Sequence, residues 1–468
     1  MNTGMSAPRT TIRYLGLFLG ASLCAFIWYA PISDLAPDGR RCLALSLMAI
    51  VWWTTRALPT GYVSLSLLLG YALLLDPQKV GTGVVFGLWT TPVIYLVIGG
   101  FLIAEAVRSS GLGRRVALEV IKRYIRTYRG AIVSCYVLNF LLSFAIPHPW
   151  PRSFLIMSVM AHVVKSAKLS ERWAANLGLA IFVGSIPTSM ILLTGDSSLN
   201  TITVGFAGVD VSWLRWLLYM GVPGAFACVL TCLTQLGLFG APKEFSPDRE
   251  YAVRKLADIG KMSREETGCV IVLGATILAW MTDSLHHVHP GWIALLAVAA
   301  LSSPLVGVLD GKSFSSVNLE TLFFLCAAMA IGAVGRATGM NAWIVSRIRP
   351  GEIPANPYMF ALFACLVCMV VHVFLGSILA VLSVTAPAIV AFGNMVGLPP
   401  VASALIAYTA VALHWFLPFH SMNLLVGYGP DAGGYTERET IRFGVPQTLV
   451  VIAVCLFEVA WWKFIKLI

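Results

Sequence analysis

Ile146-Pro147-His148-Pro149-Trp150-Pro151-Arg152-Ser153 lies in the middle of an otherwise apolar stretch running from about 131 to 165. Three alternating prolines cannot sit inside a membrane-crossing helix, because each removes a backbone donor or drives its ring into the preceding turn. Backbone broken at membrane depth is tolerated only where protein or water covers it. The stretch therefore reads as a re-entrant hairpin with the proline motif at its tip. A second interruption follows: region 173–206 breaks at Thr194-Gly195-Asp196-Ser197-Ser198-Leu199-Asn200, too polar and turn-prone for a lipid-facing helix. The same pair recurs later in the chain. Region 356–395 is interrupted, and the span that starts near 400 breaks at Leu417-Pro418-Phe419-His420-Ser421-Met422-Asn423.

The composition around these breaks admits one class of protein. Of 468 residues, 58% are hydrophobic and 12% charged, with a mean hydropathy of +0.82. A soluble domain carries about 25% charged residues. A water-soluble enzyme, a secreted disulfide scaffold and a disordered chain are excluded. No short alternating strands indicate a β-barrel, so the fold is all-α and polytopic. The net charge of +10 reads as cytoplasmic anchoring, not nucleic-acid binding. The Cys365/Cys368 and Cys228/Cys232 pairs lie in continuous apolar helix and read as small hydrophobes. Arg9 and Arg13 precede the apolar run Tyr14–Ala30, with no small-residue cleavage site. This predicts a first span with a cytoplasmic N-terminus in a bacterial inner membrane.

The chain then divides in two. A first span and loop occupy 1–40. A first repeat covers 41–240: scaffold spans 41–108, a surface helix 109–129, the hairpin 131–165, the broken helix 173–206 and a span 214–240. Arg108, Arg114, Arg115, Lys122, Arg123, Arg126 and Arg129 face one acid, Glu119, while Val116, Val120, Tyr124 and Tyr128 recur at helical spacing. That pattern predicts an amphipathic helix lying on the cytoplasmic membrane surface. A charged linker, 241–266, leads to a second repeat, 267–468, with its hairpin at 356–395 and its broken helix at 400–428. The repeats share sequence: Arg108-Ser-Ser-Gly111-Leu112 against Arg336-Ala-Thr-Gly339-Met340, and Asn200 to Gly205 against Asn423 to Gly427. With the hairpin counted as no crossing, each half has an odd number of spans, so the second runs inverted. Inverted repeats with paired broken helices point to a secondary transporter whose site lies at the midplane.

Trp52-Trp53-Thr54-Thr55-Arg56-Ala57-Leu58-Pro59, the stretch from Pro92 to Leu112, and Arg264-Glu265-Glu266 leading into Trp280-Met281-Thr282-Asp283-Ser284 resemble the divalent anion/sodium symporter family of the ion transporter superfamily. The resemblance covers nearly the whole chain in order. It implies about eleven transmembrane helices, two re-entrant hairpins and two broken helices. It also implies a homodimer built through a scaffold, and a transport domain that moves as an elevator. The family marks its site with Ser-Asn-Thr at each tip and a Thr-Pro-Pro-Asn-like turn in each broken helix. Here the second tip reads Ser377-Ile378-Leu379, and the first reads His148-Pro149-Trp150 with Arg152 just beyond. Asn200 and Asn423 persist, and His420 takes the place of the turn's threonine.

The substrate-binding residues expected from this reading are His148, Arg152, Ser153, Thr194, Ser197, Asn200, Ser377, His420, Ser421 and Asn423. Ile378 and Leu379 cannot ligate sodium through their side chains. Fixed cations are therefore expected to replace mobile ones. Arg152 stays protonated and suits bidentate recognition of a carboxylate or sulfate. A permanently charged empty site resists crossing the bilayer, so the carrier returns loaded and exchanges anions, di- or tricarboxylates first. Proton coupling through His420 or His148 and sodium-coupled uptake of sulfate or another oxyanion are the alternatives. A membrane-embedded enzyme is the alternative of another class, without a His-Glu-x-x-His motif to support it. No cofactor is expected; the partners are a small anion, the bilayer and a second copy of the chain.

Asp196 either holds a cation, pairs with Arg152 or caps the helix that resumes after the break. Glu105 is expected to pair with Arg108, and Glu458 to lie near the outer interface. His372 and His414 read as isolated core histidines. Asp283, His286, His287 and His289 have metal-ligand types but read as a loop.

Overall fold

The first proline-rich tip falls between two helices in the computed structural model, which describes residues 7–246, 248–347, 353–374, 378–415, 420–429 and 432–468. Ser377 lies outside the described residues. The chain opens with α1 (Ala7–Tyr29), α2 (Pro37–Thr55) and α3 (Thr60–Leu74), then a short α4 (Thr82–Val85), α5 (Pro92–Ser109) and α6 (Leu112–Tyr124). The first hairpin is α7 (Tyr128–Ser143) and α8 (Pro149–Ser166). The first broken helix is α9 (Glu171–Ile191), a 3-10 turn Leu193–Asp196 and α10 (Ser197–Ala207), followed by α11 (Trp213–Phe239). After α12 (Arg249–Ile259) come α13 (Arg264–Met281), a short α14 (Asp283–His286), α15 (Pro290–Ser302), α16 (Leu319–Ala337) and α17 (Met340–Ser346). The second hairpin's limbs are α18 (Pro357–Phe374) and α19 (Ile378–Met395); α20 (Pro400–Ala412), α21 (Met422–Leu425) and α22 (Glu437–Phe464) complete the chain. Among the described residues, six helices are long and apolar enough to cross a bilayer, and shorter apolar helices accompany them.

Local chemistry sets these boundaries. Pro149 occupies the first helical position of α8, with His148 as its cap. There a missing N–H costs nothing, because no intrahelical partner exists for it. Asp196 caps α10 by accepting the Leu199 N–H at 3.2 Å, the third of its three expected roles. Ser263 and Glu266 form a reciprocal capping box at the start of α13.

The two halves interlock. α5 of the first packs against α15 of the second, while α16 of the second packs against α3 of the first. At the α5–α15 crossing, a Cβ on Gly291 would stand 2.1 Å from the Pro92 carbonyl oxygen. Only glycine permits so close an approach. A smaller core gathers α2, α3 and α16; a larger one holds both hairpins and both broken helices.

Three expectations change. The basic stretch 109–129 is not one helix, and its apolar face is not left free for a membrane. α6 ends at Tyr124, and α7 begins at Tyr128. Its apolar residues Ala117, Leu118, Val120 and Ile121 are buried by protein, with α7, α8 and α12 packed on it. Second, the linker 241–266 contains α12, whose surface carries Arg254–Glu250 and Lys255–Asp258 pairs. Arg115 of α6 grips both Glu266 oxygens at 2.8 Å and also the Gly260 carbonyl at 2.9 Å, tying the linker to α6. Third, Glu458 does not face outward from the protein. It is fully buried, where its carboxyl group bonds the Thr409 hydroxyl. Glu105 and Arg108 do pair, as their spacing requires.

Candidate functional site

Arg152 sits at the start of α8 with its side chain wholly enclosed (0% exposed). It does not snorkel to a membrane surface, and no carboxylate lies within ion-pair distance among the described residues. Its guanidinium instead donates to backbone and hydroxyl oxygens from three elements. Nη1 donates to the Ile146 carbonyl at 2.9 Å and the Gly195 carbonyl at 2.6 Å. Nη2 donates to Ser189 Oγ at 2.5 Å and, at 3.4 Å, to the Ser185 carbonyl. Ile146 belongs to the hairpin tip, Gly195 to the break, and Ser185 and Ser189 to α9. One side chain thus cross-links the tip to the broken helix.

Asn200 serves the same break from the other side. Its amide nitrogen donates to the carbonyls of Ser189 and Leu192, both at 2.9 Å, and Leu193 at 3.2 Å. A broken helix leaves carbonyls without intrahelical donors, and buried ones must find partners. Asn200 and Arg152 supply them. Ser197 closes the contact between break and tip: its N–H reaches the Pro147 carbonyl at 3.0 Å and its hydroxyl reaches the same oxygen at 3.2 Å.

The two halves meet here. α10 of the first half packs on α19 and α20 of the second, and α21 of the second packs on α9 of the first. Asn423 Nδ2 donates to Ser185 Oγ at 3.3 Å, and the Ser185 carbonyl is one of the Arg152 acceptors. Asn423, Ser185 and Arg152 therefore form a continuous bridge between the two breaks.

The remaining predicted residues divide. Ser153 and Ser421 are buried, and so is Ser198, a residue outside that set; the hydroxyls of all three have no hydrogen-bond partner among the described residues. Thr194 Oγ1 accepts from the Trp213 indole at 3.2 Å. His148 Nδ1 accepts from the Trp150 N–H at 3.3 Å, and its ring stacks on Phe101 with centroids 5.7 Å apart. The loop cluster is likewise used locally: Asp283 accepts from the Trp213 N–H, His286 bonds the Ala279 carbonyl and the Val288 N–H, and His289 caps α15.

The largest departure from the sequence reading concerns His372 and His414. They are not isolated. His372 near the end of α18, His414 just after α20 and His420 in the second break each offer a ring nitrogen, and these nitrogens lie within 4.8 Å of one another. The rings of His372 and His420 stack at 4.6 Å, and His414 lies 5.5 Å from both. Their sequence spacing carries no motif. The available signal was positional: each is a rare polar residue within a few positions of an interruption in the second half.

Comparison with known proteins agrees with this architecture. The family model for the sodium:sulfate symporter transmembrane region matches residues 12–468. The chain is 23% identical to the putative malate transporter YflS of Bacillus subtilis, over 74% of each chain. It is 24% identical to the chloroplastic dicarboxylate transporter 1 of Spinacia oleracea, over 81% of this chain and 69% of that one. The crystal structure of the Alcanivorax borkumensis YdaH transporter superposes with a TM-score of 0.52 at 15% identity, covering 98% of each chain, a likeness of fold. An all-α membrane chain whose paired broken helices converge, matched over nearly its full length, belongs to the sodium:sulfate symporter (divalent anion/sodium symporter) family and is a transporter, not an enzyme.

Proposed function

We propose that this chain exchanges small multivalent anions, dicarboxylates first, across a bacterial inner membrane, with its own cation in place of a mobile one. The observation that carries the reading is the enclosure of Arg152. Two carbonyls at short range, a hydroxyl and a more distant third carbonyl surround its guanidinium. Such an all-oxygen set, drawn from a hairpin tip and a helix break, is what a hard monovalent cation requires. Here a covalently fixed charge fills it.

The consequences follow from electrostatics. A bound dianion needs compensating positive charge, and Arg152 provides part of it without ion binding. The buried donors with no partner among the described residues, Arg152 Nε–H and the hydroxyls of Ser153, Ser198 and Ser421, are those an anion would take up. When the anion leaves, the charge cannot leave with it. An uncompensated charge at the bilayer centre costs several kcal/mol, so the empty carrier is held on one side. The substrate class is supported by the malate and dicarboxylate transporters among the relatives. We place two inverted repeats, 41–240 and 267–468, around the site, moving as an elevator within a homodimer whose N-terminus is cytoplasmic.

Proteoliposomes test this directly. Labelled malate should enter vesicles preloaded with a dicarboxylate and should not enter vesicles lacking internal anion. An imposed sodium gradient should leave the rate unchanged. Uptake into anion-free vesicles that requires external sodium would overturn the proposal.

A further inference from the structure

We infer that His372, His414 and His420 form a binding site for one divalent transition-metal ion of the zinc class. Three imidazoles are a sufficient protein ligand set for such an ion, with a fourth position left for water or an anion oxygen. The three side chains here are 0%, 3% and 0% exposed. Each comes from a different segment of the second half, so the fold, not local sequence, assembles them. Their ring nitrogens already lie within 4.8 Å of one another. A tetrahedral zinc needs about 3.3 Å between ligand nitrogens, from bond lengths near 2.0–2.1 Å. Binding requires the rings to turn about their side-chain torsions by enough to close that difference.

The surrounding bonds match what a ligating histidine needs. A metal-bound imidazole commonly donates its other N–H to a backbone carbonyl, which fixes its tautomer. His372 Nε2 faces the His420 carbonyl at 3.2 Å. With the proton there, Nδ1 carries the lone pair, and Nδ1 has no partner among the described residues. His414 Nδ1 is likewise unpartnered. That bond from His372 to the His420 carbonyl also ties together the segments that supply two of the ligands. Nitrogens buried in this way carry a desolvation cost that a bound ion removes.

The site joins the second hairpin limb α18 to the second break, as Arg152 joins the first tip to the first break. A divalent ion would give the second half a resident positive charge and an open coordination position toward the anion. That use of the metal rests on the exchange reading above; the metal site itself does not.

The test uses the full-length protein in detergent, stripped with a chelator and then equilibrated with Zn²⁺ or Co²⁺. One zinc per chain should remain after desalting, by elemental mass spectrometry. Cobalt should give the intense visible absorption of a tetrahedral nitrogen site. His414→Gln and His372→Gln should each weaken binding by at least about tenfold, whereas His286→Gln, at the exposed end of α14, should bind as wild type. A chain that retains no zinc, or whose zinc is lost in His286→Gln and kept in His414→Gln, overturns the assignment. Should a histidine variant fail to fold, the cobalt spectrum of the wild type still decides, since an octahedral or absent signal refutes the site. Zinc bound as described together with sodium-driven uptake leaves the metal site standing and removes the exchange reading.

Discussion

Arg152→Ser converts the fixed charge into a cavity and asks whether a free ion can take its place. The substitution removes bonds to the Ile146 carbonyl at 2.9 Å, the Gly195 carbonyl at 2.6 Å and Ser189 Oγ at 2.5 Å. Each bond from an ionised donor contributes about 1.5–3 kcal/mol. The gross loss from three such bonds is therefore about 5–9 kcal/mol. Relief of the burial cost of the charge, several kcal/mol per ion, offsets much of it. A net loss of about 2–4 kcal/mol remains, a fall in melting temperature of a few degrees. The oxygens that held the guanidinium stay in place around the vacated volume. If they bind sodium at ten times its Kd, about 1.4 kcal/mol returns by mass action. Thermal unfolding in detergent should therefore show Arg152→Ser rescued by sodium chloride and not by choline chloride. Wild type should ignore the difference. In proteoliposomes the variant should acquire sodium-dependent uptake without internal anion. A folded variant whose stability and transport are indifferent to sodium would refute the idea that Arg152 stands in for a mobile cation.

Asn200→Ala withdraws one amide from three carbonyls; a loss of about 2–4 kcal/mol and of uptake is expected by thermal shift and transport assay. His148→Asn should keep stability within a few tenths of a kcal/mol, because asparagine also caps α8, whereas His148→Leu should cost about 1 kcal/mol. In the asparagine variant the KM for anion uptake should be unchanged, and a large rise would make His148 a substrate ligand. Gly291→Leu places side-chain atoms against the Pro92 carbonyl, 2.1 Å from its first carbon; α5 and α15 must separate, and membrane insertion measured by folded yield should collapse.

Much of the fold was legible because the bilayer imposes a severe local rule. A proline-rich or polar stretch within an apolar run has few solutions at membrane depth, and the tip at 147–152 and the break at 194–200 were read on that ground. Charge gave less. The amphipathic pattern of α6 reads as membrane-bound, yet α7, α8 and α12, the last built from a stretch that reads as a charged linker, pack on it and its apolar residues are buried by protein. The Arg115–Glu266 contact, from α6 to the start of α13, spans 151 positions and has no local signal. At the site, Arg152 was conspicuous as a charge in an apolar region. Its partners were not, since backbone carbonyls have no sequence identity.

The sequence alone determined an all-helical membrane chain in two related halves, each with a hairpin and a broken helix, because apolar length and backbone satisfaction are properties of single segments. Tertiary structure alone decided what the interruptions hold. The oxygens around Arg152 and the nitrogens of His372, His414 and His420 each come from separate segments, and only helix packing fixes the few ångströms over which a charge or a metal is bound.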